Sequence, residues 1–69
     1  MVNKELLRYE MARHGISVDE MTHRLGISRS AFWKKCTGVS EFRQSEIAKM
    51  IEILDLKNPA EIFFAGEVS

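Results

Sequence analysis

Residues 17–38, SVDEMTHRLGISRSAFWKKCTG, constrain the fold more than any other part of the chain. Ser17 with Glu20 three residues on is a capping box, in which side chains satisfy the backbone donors that a helix start leaves unpaired. Ile16 and Met21 flank that cap as a hydrophobic staple. Gly26 falls where the helix must end on a residue with positive φ. Ser28 then caps a second helix, with Ile27 and Phe32 as a second staple. The spacing predicts helices over 18–25 and 29–36, joined by the tight turn Leu25-Gly26-Ile27-Ser28. Two short capped helices across a glycine turn are a helix-turn-helix. Arg, Ser, Trp and Lys on the second helix give it a face that can enter a DNA major groove.

The same kinds of signal divide the rest of the chain. Asn3 is placed to cap a helix over 4–14, in which Leu7, Met11 and Ala12 make a narrow apolar stripe with Leu6 beside it. Gly15 ends that helix. In the next, Met21 and Leu25 face inward, with Thr22 near the crossing to the third helix, where Phe32 and Cys36 form the inward stripe. Thr37-Gly38-Val39-Ser40 is a turn, and Glu41-Phe42-Arg43 leads into a fourth helix with Ile47, Met50, Ile51 and Leu54 at helical spacing. Glu46, Glu52 and Asp55 are expected on its solvated face. Asn58-Pro59-Ala60-Glu61 is a helix start, with Asn as cap, Pro at the first helical position and Glu three residues after the cap. A short fifth helix through Ile62-Phe63-Phe64 follows, and 65–69 are expected to fray. The expectation is one compact all-α domain of five helices over 1–69, with the helix-turn-helix at 17–38.

Charge and composition narrow the partners. Ten Lys and Arg balance ten Asp and Glu over 69 residues, so the chain as a whole exerts no pull on a polyanion. The distribution is uneven. Residues 1–43 hold eight basic against five acidic side chains, and 44–69 hold two against five. Between His23 and Arg43, five bases stand against one acid, which puts the positive end on the helix-turn-helix. No apolar run approaches the roughly 20 residues that span a bilayer, so no membrane partner is expected. The segment MVNKELLRYE has no apolar signal-peptide core, and Cys36 stands alone without a disulfide partner, which together predict a cytoplasmic protein.

His14, His23 and Cys36 lack the paired spacing of a metal site. His14 reads as a cation at a helix C-terminus and His23 as a surface residue. Cys36, on an apolar stripe, reads as inert. With no Ser/His/Asp set, glycine-rich phosphate loop or HExxH, the chain is expected to have no catalytic residue, cofactor, metal or small-molecule ligand, and not to be an enzyme.

The run LGISRSAFWKKCTG followed by SEIAKMIEILDL resembles the Cro/CI-type, Xre-like helix-turn-helix regulators, over nearly the whole chain. With NPAEIFF it is most similar to the small single-domain phage repressors of Gram-positive bacteria. The resemblance implies a lambda-repressor-like domain that pairs on palindromic operators. In it the start of the third helix reads bases, the turn after it holds phosphate, and the end of the fifth helix makes the dimer contact. The chain departs from that pattern in places. Val18 and Asp19 stand where relatives often carry Gln, so no polar brace is expected from the second helix. Thr22 stands for a small Ala. Lys35 occupies a usually aliphatic position, so either it snorkels outward or the third helix sits slightly differently.

With the third helix in a groove, Arg29, Ser30, Trp33 and Lys34 are the candidate base-contacting residues. Arg29 can give two hydrogen bonds to guanine O6 and N7, worth about 1–3 kcal/mol of discrimination, or can bind phosphate instead. Trp33 can pack on a thymine methyl, or on the Lys34 stem or the Phe42 loop. A cation–π contact with Lys34 or Arg29 would pre-order the helix. Ser28, Arg24, Lys35, Thr37, Gly38, Ser40 and Arg43 are phosphate candidates, with backbone amides of the 37–40 turn among the donors. Phe63 and Phe64 lie about 100° apart on a helix, so one can close the core and the other can serve a homodimer interface. The rival to an operator-binding regulator is a protein-interaction module of the same fold, such as an antirepressor or an antitoxin-like partner.

Overall fold

A computed structural model describes residues 2–64 of the chain. The expected fraying of 65–69 lies outside the described residues. Five helices, α1 (Lys4–Arg13), α2 (Val18–Leu25), α3 (Arg29–Cys36), α4 (Gln44–Leu54) and α5 (Ala60–Phe63), make up the fold, with no strand among the described residues. None of these helices is long and apolar enough to cross a membrane.

Local chemistry starts and stops most of them. Asn3 Oδ1 accepts from the Leu6 N–H at 3.1 Å, Ser17 Oγ from Glu20 at 3.1 Å and Ser28 Oγ from Ala31 at 3.0 Å. At the end of α2, Gly26 takes φ +71°, its N–H donates to the His23 carbonyl, and the Ile27 N–H donates to the Thr22 carbonyl at 3.1 Å. This pair of reversed bonds is a Schellman closure, and it turns the chain sharply into α3. α1 ends the same way, with His14 as its C-cap rather than its last helical residue.

Three local expectations are corrected. Glu20 does not reach back to complete the capping box, because its carboxylate binds Arg24 at 2.7 Å. Asn58 contributes no side-chain cap to α5; the main-chain carbonyls of Asn58 and Pro59 accept from Glu61 and Ile62. Ala12 is exposed, leaving Leu7 and Met11 as the buried stripe of α1 with Leu6 half-buried.

Every helix contributes to the core: Leu7 and Met11, Met21 and Leu25, Phe32 and Cys36, Met50 and Leu54, Ile62 and Phe63. Phe42, from the loop between α3 and α4, joins them at 9 % exposure. It stands edge-on between Phe32 and Phe63, with ring centroids 5.9 and 5.8 Å apart. Such edge-to-face pairs add about 0.5–1.5 kcal/mol each beyond the area they bury. The Asn3 N–H donates to the Ile62 carbonyl at 2.6 Å and ties the start of α1 to α5. The polar side of α3 is thus held outward by a core that grips its other side.

Candidate nucleic-acid interface

α3 carries Arg29, Ser30 and Lys34 exposed and Trp33 half-buried. Residues three and four apart share a helix face, so Arg29, Ser30, Trp33 and Lys34 form one continuous surface that runs into Thr37. Beyond it the turn from Thr37 to Glu41 is exposed throughout, with Gly38 at φ +88° and Val39 at 74 % exposure. Val39 was not among the residues expected at the site. Its signal in the sequence is an apolar side chain in a turn with no helix periodicity to bury it.

Trp33 packs its ring edge-on against Phe32, with centroids 5.4 Å apart and planes at 72°. Part of the indole therefore belongs to the core rim, which fixes the side chain that faces outward beside Lys34. The cation–π contact among the described residues is not at Trp33: Lys35 Nζ lies 6.0 Å from the centre of the Phe42 ring.

Ion pairs reduce the positive charge that the sequence placed here. Arg24 pairs with Glu20 at 2.7 Å, Arg29 with Asp19 at 3.0 Å, and Lys35 with Glu46 at 2.6 Å. Of the five bases between His23 and Arg43, Lys34 and Arg43 have no acidic partner among the described residues. The Arg29–Asp19 pair corrects one expectation directly. A side chain of α2 does brace α3, with Asp19 in place of Gln. Both groups are largely exposed, so the pair orients the guanidinium and adds little stability.

The turn after α3 differs from the expected cluster of free amides. Thr37 N–H and hydroxyl both donate to the Trp33 carbonyl, at 3.0 and 2.9 Å, and the Val39 and Ser40 N–H groups donate to the Lys34 carbonyl. These amides close the end of α3, because a helix leaves its last carbonyls without partners. Arg43 flanks the start of α4 with an exposed side chain. Ser28 Oγ is engaged as the α3 cap and keeps its own proton to donate.

Lys35 is the larger correction. Its ammonium turns inward and gives hydrogen bonds of 2.6 and 2.7 Å to the two oxygens of Glu46, with the side chains 11 % and 7 % exposed. Glu46 Oε1 also accepts from the Arg43 N–H at 2.8 Å. Glu46 is therefore not on the solvated face of α4, and Lys35 is not a free phosphate contact. Burial alone would raise the Glu46 carboxyl, but the hydrogen bonds and charge of Lys35, with the Arg43 N–H, outweigh it and hold the group below its ordinary 4.5. The sequence does hold a signal for this pair. Lys35 lies beside the inward residues Phe32 and Cys36, and Glu46, Met50 and Leu54 follow at the four-residue spacing of one helix face.

Cys36 is buried, and burial pushes its thiol up to about 11, partly offset by Lys4. It is a packing residue with no thiolate near neutral pH. At the other end of the molecule Phe63 is 5 % exposed and belongs to the core, which removes it from the expected dimer contact. Phe64 is 44 % exposed, at the edge of a groove of about 510 Å³ whose walls include Val2, Lys4, Phe42 and Ile47.

Two short helices at a glycine-closed turn, with a polar face outward on the second, define a helix-turn-helix DNA-binding domain. The chain belongs to the Cro/C1-type HTH DNA-binding domain family, whose profile matches residues 6–64. No curated protein and no solved structure matches the chain.

Proposed function

We propose that this protein is a sequence-specific transcriptional regulator that binds a palindromic operator as a homodimer, with α3 of each protomer in the major groove. The observation that carries this reading is the exposed face of α3, where Arg29, Ser30, Trp33 and Lys34 stand together above a buried Phe32. In this reading Arg29 reads a guanine and Ser30 and Lys34 contact neighbouring base edges or phosphate. Arg43, the Ser40 hydroxyl and the Gly38 turn hold the backbone, with Arg24 and the Ser28 hydroxyl beside them. Phe64 and the groove next to it supply the dimer contact. Two recognition helices on one face of the duplex imply half-sites about 10 bp apart, centre to centre.

Selection from a randomised duplex pool at physiological salt, run beside Arg29→Ala, tests this. The wild-type protein is expected to enrich a two-fold site containing a guanine, and the variant to lose the preference at that base. A folded wild-type protein that enriches no sequence overturns the reading. It would turn attention to the protein-interaction alternative, which the paired charges of Arg24, Arg29 and Lys35 favour.

A further inference from the structure

The Lys35–Glu46 pair is the least exposed ion pair among the described residues, and the outward face of α3 does not use it. We propose that Lys35 and Glu46 are positioning residues for base reading: their ion pair fixes the angle of α3 against α4. The inference rests on the DNA-binding reading above.

Three observations carry it. First, the pair joins the last turn of α3 to the first turn of α4, and the same carboxylate also accepts from the Arg43 N–H. One group therefore sets the recognition helix, the following helix and the end of the turn between them. Second, the Asp19–Arg29 pair and the Gly26 closure hold α3 to α2, and among the described residues no hydrogen bond or ion pair other than Lys35–Glu46 joins α3 to α4. Three of the eleven buried core side chains are Met11, Met21 and Met50, whose flexible chains fill space without specifying direction. Hydrophobic contact itself is non-directional, whereas a two-oxygen hydrogen-bonded ion pair has a fixed geometry. Third, a buried pair of this kind is a weak source of stability, because an apolar pair of similar volume serves as well or better. Its directional geometry is what an apolar pair cannot reproduce.

The lever arm shows why angle matters. α3 is eight residues long, so about 12 Å separates its ends, and a tilt of about 5° at Lys35 moves Arg29 by about 1 Å. Hydrogen bonds to base edges tolerate only a few tenths of an ångström. Contacts to phosphate from long side chains such as Lys34 adapt to such a shift, so base discrimination suffers before general affinity does.

The decisive comparison is the Lys35→Met/Glu46→Leu double variant against the wild-type protein. Both are assayed for thermal midpoint, for affinity to the selected duplex and for affinity to a scrambled duplex. The expected result is a midpoint at or above that of the wild type. The selected-to-scrambled affinity ratio is expected to fall at least about tenfold, the worth of one good base contact, with scrambled-duplex affinity almost unchanged. A merely structural role would move the midpoint and both affinities together. If the double variant fails to fold, Glu46→Gln decides the matter. It keeps an acceptor for the Arg43 N–H but cannot hold Lys35 through two charged oxygens, so a folded Glu46→Gln protein must also lose discrimination. A folded variant with the wild-type affinity ratio overturns the proposal and leaves the DNA-binding reading intact. A wild-type protein that selects no duplex overturns both.

Discussion

The α2–turn–α3 segment and the segment from the α3 end through α4 are assembled by opposite means. In the first, each boundary is fixed within a few residues: Ser17 and Ser28 cap, Gly26 closes, and Arg24 pairs one turn back with Glu20. In the second, the fixing contacts cross the loop. Lys35 reaches Glu46 eleven residues on, and Phe42 wedges between Phe32 and Phe63. Local contacts of the first kind each contribute little and fail one at a time. Among contacts of the second kind, the Lys35–Glu46 pair places charges in the interior, so losing one partner is severe. The difference teaches that the motif supplies the shape of the reading head, while the loop and α4 aim it.

The sharpest way to break this contrast is Lys35→Met alone. It leaves Glu46 buried without its cation, and uncompensated buried charges of this sort cost about 3–5 kcal/mol. A domain of this size has about that much to lose, so the variant is expected to be largely unfolded at room temperature by circular dichroism. Retention of most of the wild-type midpoint would show that Glu46 finds water or another partner. The pH dependence follows with a definite sign. The folded-state Glu46 carboxyl titrates below its ordinary 4.5, so the unfolded chain takes up that proton first. The pair's contribution is complete above about 4.5 and is lost as pH falls through the folded value. Unfolding curves from pH 7 to 3 are expected to show Glu46→Gln with a flatter acid limb than the wild-type protein.

Smaller effects belong to the local half. Gly26→Ala puts a β-carbon on a residue at φ +71°, where the space around it is open, so the cost is conformational only. A left-handed residue with a β-carbon costs about 1–2 kcal/mol, and urea unfolding should show a loss in that range. Ser28→Ala removes the bond to the Ala31 N–H and is expected to cost about 1 kcal/mol. Its effect on binding to the selected duplex reports separately on the Ser28 hydroxyl as a phosphate contact.

The same division explains what could be read from the sequence. The α2 and α3 boundaries were legible because caps and closures are written in adjacent residues. The outward set on α3 was legible because Phe32 and Cys36 set the phase of the helix. Phe42 as a core residue was not legible, because its burial depends on Phe63 arriving from α5. Lys35 and Glu46 look like surface charges when each is taken on its own helix, and a buried charge becomes reasonable only when its partner is in view. The basic patch is smaller than the sequence suggests for a related reason. Counting bases between His23 and Arg43 ignores Asp19 and Glu20, which lie just before that stretch and face it one turn on or across the helix-turn-helix.

The smallest expected effect tests whether the tertiary half also depends on local closure. α4 ends like α1 and α2, with Asp55 N–H bonded to the Glu52 carbonyl and Leu56 N–H to the Ile51 carbonyl, but Asp55 is not a glycine and sits at φ +48°. Asp tolerates this region better than most residues yet still carries a β-carbon there. Asp55→Gly removes that strain, loosens the unfolded chain in return, and gives up an exposed ion pair with Lys57 that is worth little. The net is a gain of less than about 1 kcal/mol, while Asp55→Ala keeps the β-carbon, forfeits Asp's local tolerance and should lose stability. Opposite signs for the two variants in urea unfolding would show that α4 needs its left-handed end to bring Leu54 and α5 into place. Equal losses would mean that the Asp55 side chain itself, not the backbone it permits, holds that corner.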